Sequence, residues 1–367
     1  LERAERSAAN PTVIGPFRVV RRLGEGGMGE VWEAEQQEPV RRRVALKLVK
    51  WGMDTNQVLA RFDAERQALA LMSHENIAKV YEAGATEDGR PFFAMEIVDG
   101  PDIVEYCDSK SLSIDERLEL FSQICSGVQH AHQKGVIHRD IKPSNVLVSS
   151  QDGRPIPKII DFGVAKAVEQ RLTERTLFTE MGHWIGTPEY MSPEQAEVSC
   201  ADIDTRTDIY SLGVLLYELM AGAPPLDSRE LRDAGFDEMR RRIREEDPVI
   251  PSTRISRLGL ASEVAAVNRR TDAAGLMREL RGDLDWIVLT ALEKDRERRY
   301  GSATAFAEDI ERHLRYEPVL AGPPGAMYRI GKYARRNRLG VISATLIVAA
   351  MLIAIIGTGI GLHQARR

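Results

Sequence analysis

Leu23-Gly24-Glu25-Gly26-Gly27-Met28-Gly29-Glu30-Val31 carries a G-x-G-x-x-G pattern with a valine two places on, and its flanks decide how it folds. Extended segments lie on both sides: FRVV from Phe17, then EVWEAEQ from Glu30 and VALKLVK from Val44 to Lys50. A dinucleotide site needs its glycines to open a helix, so a second strand in that place excludes a Rossmann fold. The plain alternative is an ordinary hairpin turn. What glycine adds is a backbone without Cβ, able to fold tightly over triphosphate oxygens and to offer them its N–H groups.

Working outward, Val44-Ala45-Leu46-Lys47 is an apolar strand run with one cation. The next segment places Val58, Phe62, Glu65, Leu69 and Met72 at steps of four, three, four and three, so a helix is predicted with Glu65 inside its apolar stripe. A carboxylate buried there without a partner would cost several kcal/mol. Lys47 is the natural partner, which would leave its ammonium held in place to grip the α- and β-phosphates of a nucleotide.

Further on stand His138-Arg139-Asp140-Ile141-Lys142-Pro143-Ser144-Asn145 and then Asp161-Phe162-Gly163. With these, from Phe17 to about Leu314, the sequence resembles the Hanks-type (eukaryotic-type) Ser/Thr protein kinases that also occur in bacteria. The resemblance implies an α+β, two-lobed protein-kinase-like fold. A small antiparallel β lobe with one helix (17–96) would precede a larger, mainly helical lobe (97–314), with ATP between them.

It also implies roles. Phosphoryl transfer asks for placement of the reactants and neutralisation of charge more than for covalent chemistry. Asp140 would orient the acceptor hydroxyl and take its proton, with Lys142, Lys47 and Glu65 completing the catalytic set. Asn145 and Asp161 would offer oxygens to Mg²⁺ or Mn²⁺. The ATP pocket would comprise Leu23, Gly24, Glu25, Gly26, Gly27, Met28, Gly29, Val31, Ala45 and Lys47, with Met95 as gatekeeper, Glu96 and Val98 in the hinge, and Leu147 as floor. Lys142 and Thr187 point to Ser or Thr acceptors. Glu194, paired with Arg299, and Asp208 would be architectural. Arg139 would receive phosphate placed on Thr173, Thr176 or Thr179 by autophosphorylation.

The chain's 367 residues, 43% of them hydrophobic, suffice for a large core, and its net charge of −5 argues against a nucleic-acid protein. Cys107, Cys125 and Cys200 form no C-x-x-C pair, which suits a reduced, cytosol-facing domain. The histidines, including His130 and His132, show no metal-ligand spacing and read as structural or surface residues. Arg240, Arg241, Arg242 and Arg244, flanked by acids, read as a solvated helix face.

Residues 339–362 carry no charge and would span a bilayer as a helix. Arg329, Lys332, Arg335, Arg336 and Arg338 precede them, placing the catalytic part on the cytoplasmic side of a single-pass membrane protein. Gly357 and Gly361 would suit close approach of two copies in a homodimer. The expected layout is therefore an N-terminal tail (1–16), the kinase domain, a juxtamembrane linker (315–338), the span (339–362) and the start of an outer region (363–367). The GPPG run at 322–325 argues against a continuous helix into the membrane. The chain opens without Met and without an apolar run, so a fragment with no visible secretory signal is expected. Protein substrates would be the partners; a pseudokinase scaffold, or a kinase of small molecules, is the rival reading. Lys47, Asp140 and Asp161 are all present, against the first, and Gly186-Thr187-Pro188-Glu189-Tyr190 with Ser192-Pro193-Glu194 tells against the second.

Overall fold

A computed structural model describes residues 13–26, 29–38, 40–49, 72–86, 88–162, 187–197, 203–323 and 325–336, together with 347 and 351. The expected helix around Glu65, Gly27 and Met28, the threonines at 173, 176 and 179, and nearly all of the 339–362 stretch lie outside the described residues. Among the described residues no helix is long and apolar enough to cross a membrane.

The small lobe is one antiparallel sheet of six strands: β1 (Val13–Ile14), β2 (Phe17–Gly26), β3 (Gly29–Gln36), β4 (Arg42–Val49), β5 (Val80–Ala85) and β6 (Pro91–Met95), in the order β1-β2-β3-β4-β6-β5. Alternation assigns the faces: Phe17, Trp32, Ala34, Val44, Leu46, Leu48, Phe92 and Ala94 turn to one side and form its core. The opposite side of β3 and β4 looks into the cleft. Gly29 is demanded by packing, since a Cβ there would stand 2.0 Å from the Leu48 carbonyl oxygen.

The large lobe starts with α1 (Ile103–Ser109), capped by Asp102, and α2 (Ile114–Gln133), whose Ser113 and Glu116 form a capping box. A hairpin of β7 (Val146–Gln151) and β8 (Arg154–Ile159) follows. Then comes α3 (Arg206–Ala221), apolar nearly all round and buried over almost its whole length. It ends at Gly222, a left-handed residue (φ 80°).

The segment between Pro225 and Gly282 is a set of short helices: α4 (Ser228–Asp233), α5 (Phe236–Glu245), α6 (Pro251–Arg257), α7 (Leu260–Val267) and α8 (Ala273–Leu280). Met239 and Ile243 of α5 pack with Ala196, Leu226 and Leu231. The arginine run on α5 is only partly a solvated face: Arg241 and Arg242 bind Glu238, whereas Arg240 reaches the Ala196 carbonyl at 2.5 Å. Next are α9 (Asp283–Ala291) and α10 (Ala303–Leu314), which lies against α2, Phe121 meeting Phe306 edge-on at 5.3 Å. Beyond the GPPG breakers the chain turns helical again in α11 (Ala326–Arg336).

Candidate active site

Register places the cleft residues. Across β3 and β4, Val31 pairs with Lys47, and across β4 and β6, Ala45 pairs with Met95. Residues two apart share a face, so Val31, Ala45 and Lys47 stand together. The β2–β3 hairpin lies alongside them in the sheet, with Gly24 opposite Val31, Glu25 opposite Glu30 and Gly26 opposite Gly29. Leu23 sits just before that turn. Leu147, half-buried in β7, pairs with Lys158 of β8 and bridges to Asp102. Glu96 and Val98 follow β6 in the connection between lobes.

The loop 138–145 and the end of β8 converge below. Lys142 Nζ lies 2.9 Å from Asp140 Oδ2. Asn145 donates its side-chain N–H to the Asp140 carbonyl (2.8 Å) and carboxylate (3.2 Å), so its amide oxygen is the atom it offers to a cation. Across the cleft, Lys47 Nζ meets Asp161 Oδ1 at 2.6 Å. Two residues 114 positions apart in sequence, one from each lobe, thus form a half-shielded ion pair. Glu65, expected as the partner of Lys47, lies outside the described residues.

The loop's shape is held from behind. Arg139 (φ 64°) and Asp161 (φ 63°) occupy the left-handed region that side chains disfavour. Such conformations persist only where the surroundings over-determine them. For Arg139 they do: its N–H donates to Asp208 Oδ1 at 2.7 Å, and its carbonyl accepts from Gln195 Nε2 at 2.8 Å. Asp208 is fully buried and also accepts the His138 N–H (2.8 Å) and contacts His132 Nε2 (2.7 Å). Burial pushes this carboxyl upward, but the hydrogen bond and charge of His132, with His138, outweigh it and hold it below the ordinary carboxylate range.

His138 is itself buried, which lowers its basicity, and a neutral ring suits its contacts. Nδ1 accepts the Asp140 N–H at 3.2 Å, leaving Nε2 to donate to the Ile160 carbonyl at 3.0 Å. The ring also packs on Phe162 at 4.7 Å, tying the loop 138–145 to the segment that carries Asp161.

Glu194 and Arg299 meet as a bidentate pair, Nη1–Oε1 2.7 Å and Nη2–Oε2 2.8 Å, with Thr207 Oγ1 adding 2.7 Å to Oε1. Burial raises the Glu194 carboxyl, yet Arg299 and Thr207 bring it below its usual value.

Sequence reasoning missed three supports. His132 under Asp208 read as one more histidine without metal spacing. Gln195 lies next to a recognised glutamate but carries no signal of its own. Lys158, 5% exposed, pairs with the hinge residue Glu96 at 2.9 Å, and Glu96 also accepts the Lys79 N–H at 3.2 Å. Only an unusually buried lysine marks that link, and burial is not written in the sequence.

As for a divalent cation, Asn145 and Asp161 supply hard oxygen donors beside the cleft, and no group of three or more His, Cys, Asp or Glu side chains able to hold a metal occurs among the described residues. That donor set fits an ion completed by substrate phosphates rather than an all-protein cage.

A two-lobed architecture with this cleft is the protein kinase fold. Residues 17–309 match the protein kinase domain family. The chain is 32% identical over 319 residues to the serine/threonine-protein kinase Pkn1 of Myxococcus xanthus, covering 85% of this chain and 40% of that protein. It is 34% identical over 303 residues to the serine/threonine-protein kinase pkn3 of the same organism, covering 82% and 50%. The chain therefore spans half or less of the length of these relatives. The solved PknI kinase domain of Mycobacterium tuberculosis superposes with a TM-score of 0.59 at 26% identity, over 84% of this chain and 99% of that one. The chain belongs to the protein kinase domain family.

Proposed function

We propose that the chain is a Ser/Thr protein kinase that transfers the γ-phosphate of ATP, with Mg²⁺ as the divalent ion, to protein hydroxyls. The observation that carries this reading is the Lys47–Asp161 pair across the cleft, with the Asp140–Lys142–Asn145 cluster beside it. Lys47 holds the α- and β-phosphates. Asp140 receives the acceptor's hydroxyl proton on a carboxylate oxygen. Lys142, 2.9 Å from that carboxylate, sets positive charge beside the transferring group. Asn145 and Asp161 would hold the cation, which would supply neutralisation of charge on the phosphates.

The test is transfer of label from ATP to a generic protein substrate. Asp140→Asn is expected to lower kcat by about 10²- to 10⁴-fold; equal labelling by parent and variant would overturn the assignment.

The reading extends to regulation and place. Phosphate on Thr173, Thr176 or Thr179 pairs with Arg139 and orders the segment; mass spectrometry of active protein with all three unmodified would refute this. The uncharged stretch 339–362, with five cations just before it, anchors the kinase in the cytoplasmic membrane as a single-pass protein. Removal of residues from 339 onward should leave catalysis intact and release the protein from membranes.

A further inference from the structure

The segment beyond the family match is fastened to the large lobe. Asp283, 7% exposed at the start of α9, contacts His313 Nδ1 at 2.9 Å, accepts the Tyr328 hydroxyl at 2.9 Å and pairs with Lys332. Burial pushes the Asp283 carboxyl up, but His313, Lys332 and Tyr328 outweigh it and bring it below the usual value. The Tyr328 oxygen also accepts the Val319 N–H at 3.0 Å, and its ring meets Trp286 edge-on at 5.5 Å. Tyr328 and Lys332 are one turn apart, so among the described residues the attachment lies on a single face of α11.

Among the described residues the opposite side of the helix presents two exposed apolar side chains. Met327 is 81% exposed and Ile330 60%, three positions apart on one face, and Arg329, between them in sequence, is exposed about 100° round the helix from Ile330. Charge is segregated to match: Glu317 is the last of the 55 acidic residues, and residues 318–367 hold seven cations and no carboxylate side chain. An apolar helix face set among cations, just before an uncharged stretch of membrane-spanning length, has the chemistry of an element lying in an anionic bilayer surface.

We propose that the Met327–Ile330 face of α11 seats in the interface of an anionic membrane while its Tyr328–Lys332 face stays locked to Asp283, so that the large lobe is held at a fixed attitude to the bilayer. This rests on the anchoring of the chain by residues 339–362.

The whole chain, reconstituted into phosphatidylcholine vesicles with or without phosphatidylglycerol, tests it. Met327→Cys, Ile330→Cys and, as a control in the small-lobe sheet, Val20→Cys are each labelled with an environment-sensitive dye in a Cys200→Ser background, Cys107 and Cys125 being buried. Expected are shielding from aqueous iodide and quenching by shallow doxyl-lipid at 327 and 330 in the anionic vesicles. Val20→Cys should stay accessible, and adding Arg329→Glu should remove the shielding. If the chain resists alkaline carbonate extraction but 327 and 330 are as accessible as Val20→Cys, the anchoring stands and the interfacial seat is overturned. Equal shielding in purely zwitterionic vesicles would overturn the anionic partner. Loss of the chain to carbonate would overturn the anchoring and the seat together.

Discussion

Arg139 is held in a conformation that costs about 1–3 kcal/mol, and Asp208 is the principal group that offsets it. The two Asp208 oxygens face two backbone N–H donors and an imidazole. Asp208→Asn would turn an amide donor onto one of those donors, leaving a buried group unsatisfied. A loss of about 3 kcal/mol of stability is expected, together with a fall in kcat, since Asp140 follows the strained residue. Because the folded-state acidity of Asp208 is enhanced, its contribution is complete above the ordinary value of 3.8 and is lost as pH falls below it toward the folded pKa. The stability gap between parent and variant, read from urea titrations, should therefore be constant near neutrality and shrink below about pH 3.8.

Among the elements, β3 and β4 approach each other at a separation that glycine at position 29 permits and a Cβ does not. Gly29→Ala forces β3 away from the Leu48 carbonyl, with an expected cost of about 1–3 kcal/mol and a raised KM for ATP, measurable by steady-state kinetics. The connection between β6 and α1 is pinned to β8 through Glu96 and Lys158. Lys158→Met should weaken ATP binding by about 1 kcal/mol, a factor of about five in KM with kcat little changed. Adding Glu96→Gln should cost little more, since the two groups act as one unit. Strand alternation and the Gly-rich turn made the hairpin legible beforehand. Lys158 was not, because its partner belongs to the other lobe and the contact exists only once β8 passes under the hinge.

At the scale of the whole molecule, ties between distant segments hold the large lobe together. Arg299 reaches Glu194 across 105 positions and also donates to the carbonyls of Arg206, Glu293 and Lys294. Arg299→Lys keeps the charge but loses the two-pronged geometry, and Glu194→Gln leaves a buried guanidinium without its counter-charge. Each is expected to cost about 3 kcal/mol, read as a lowered Tm, the second no less than the first. The Asp283 cluster plays the same part for α11, making the linker expected from GPPG an extension of the lobe.

The amino-acid sequence by itself determined the local chemistry: which strands alternate, where glycine frees the backbone, which carboxylate, amide and ammonium groups occur in the order of a kinase. These are properties of neighbours along the chain, and period and residue type report them directly. Only the tertiary structure decided that His132 stands beneath Asp208, that Lys158 holds the hinge and that α11 is bolted to Asp283. Each of those contacts joins residues dozens of positions apart, and its strength comes from burial, which exists only after the chain has closed on itself.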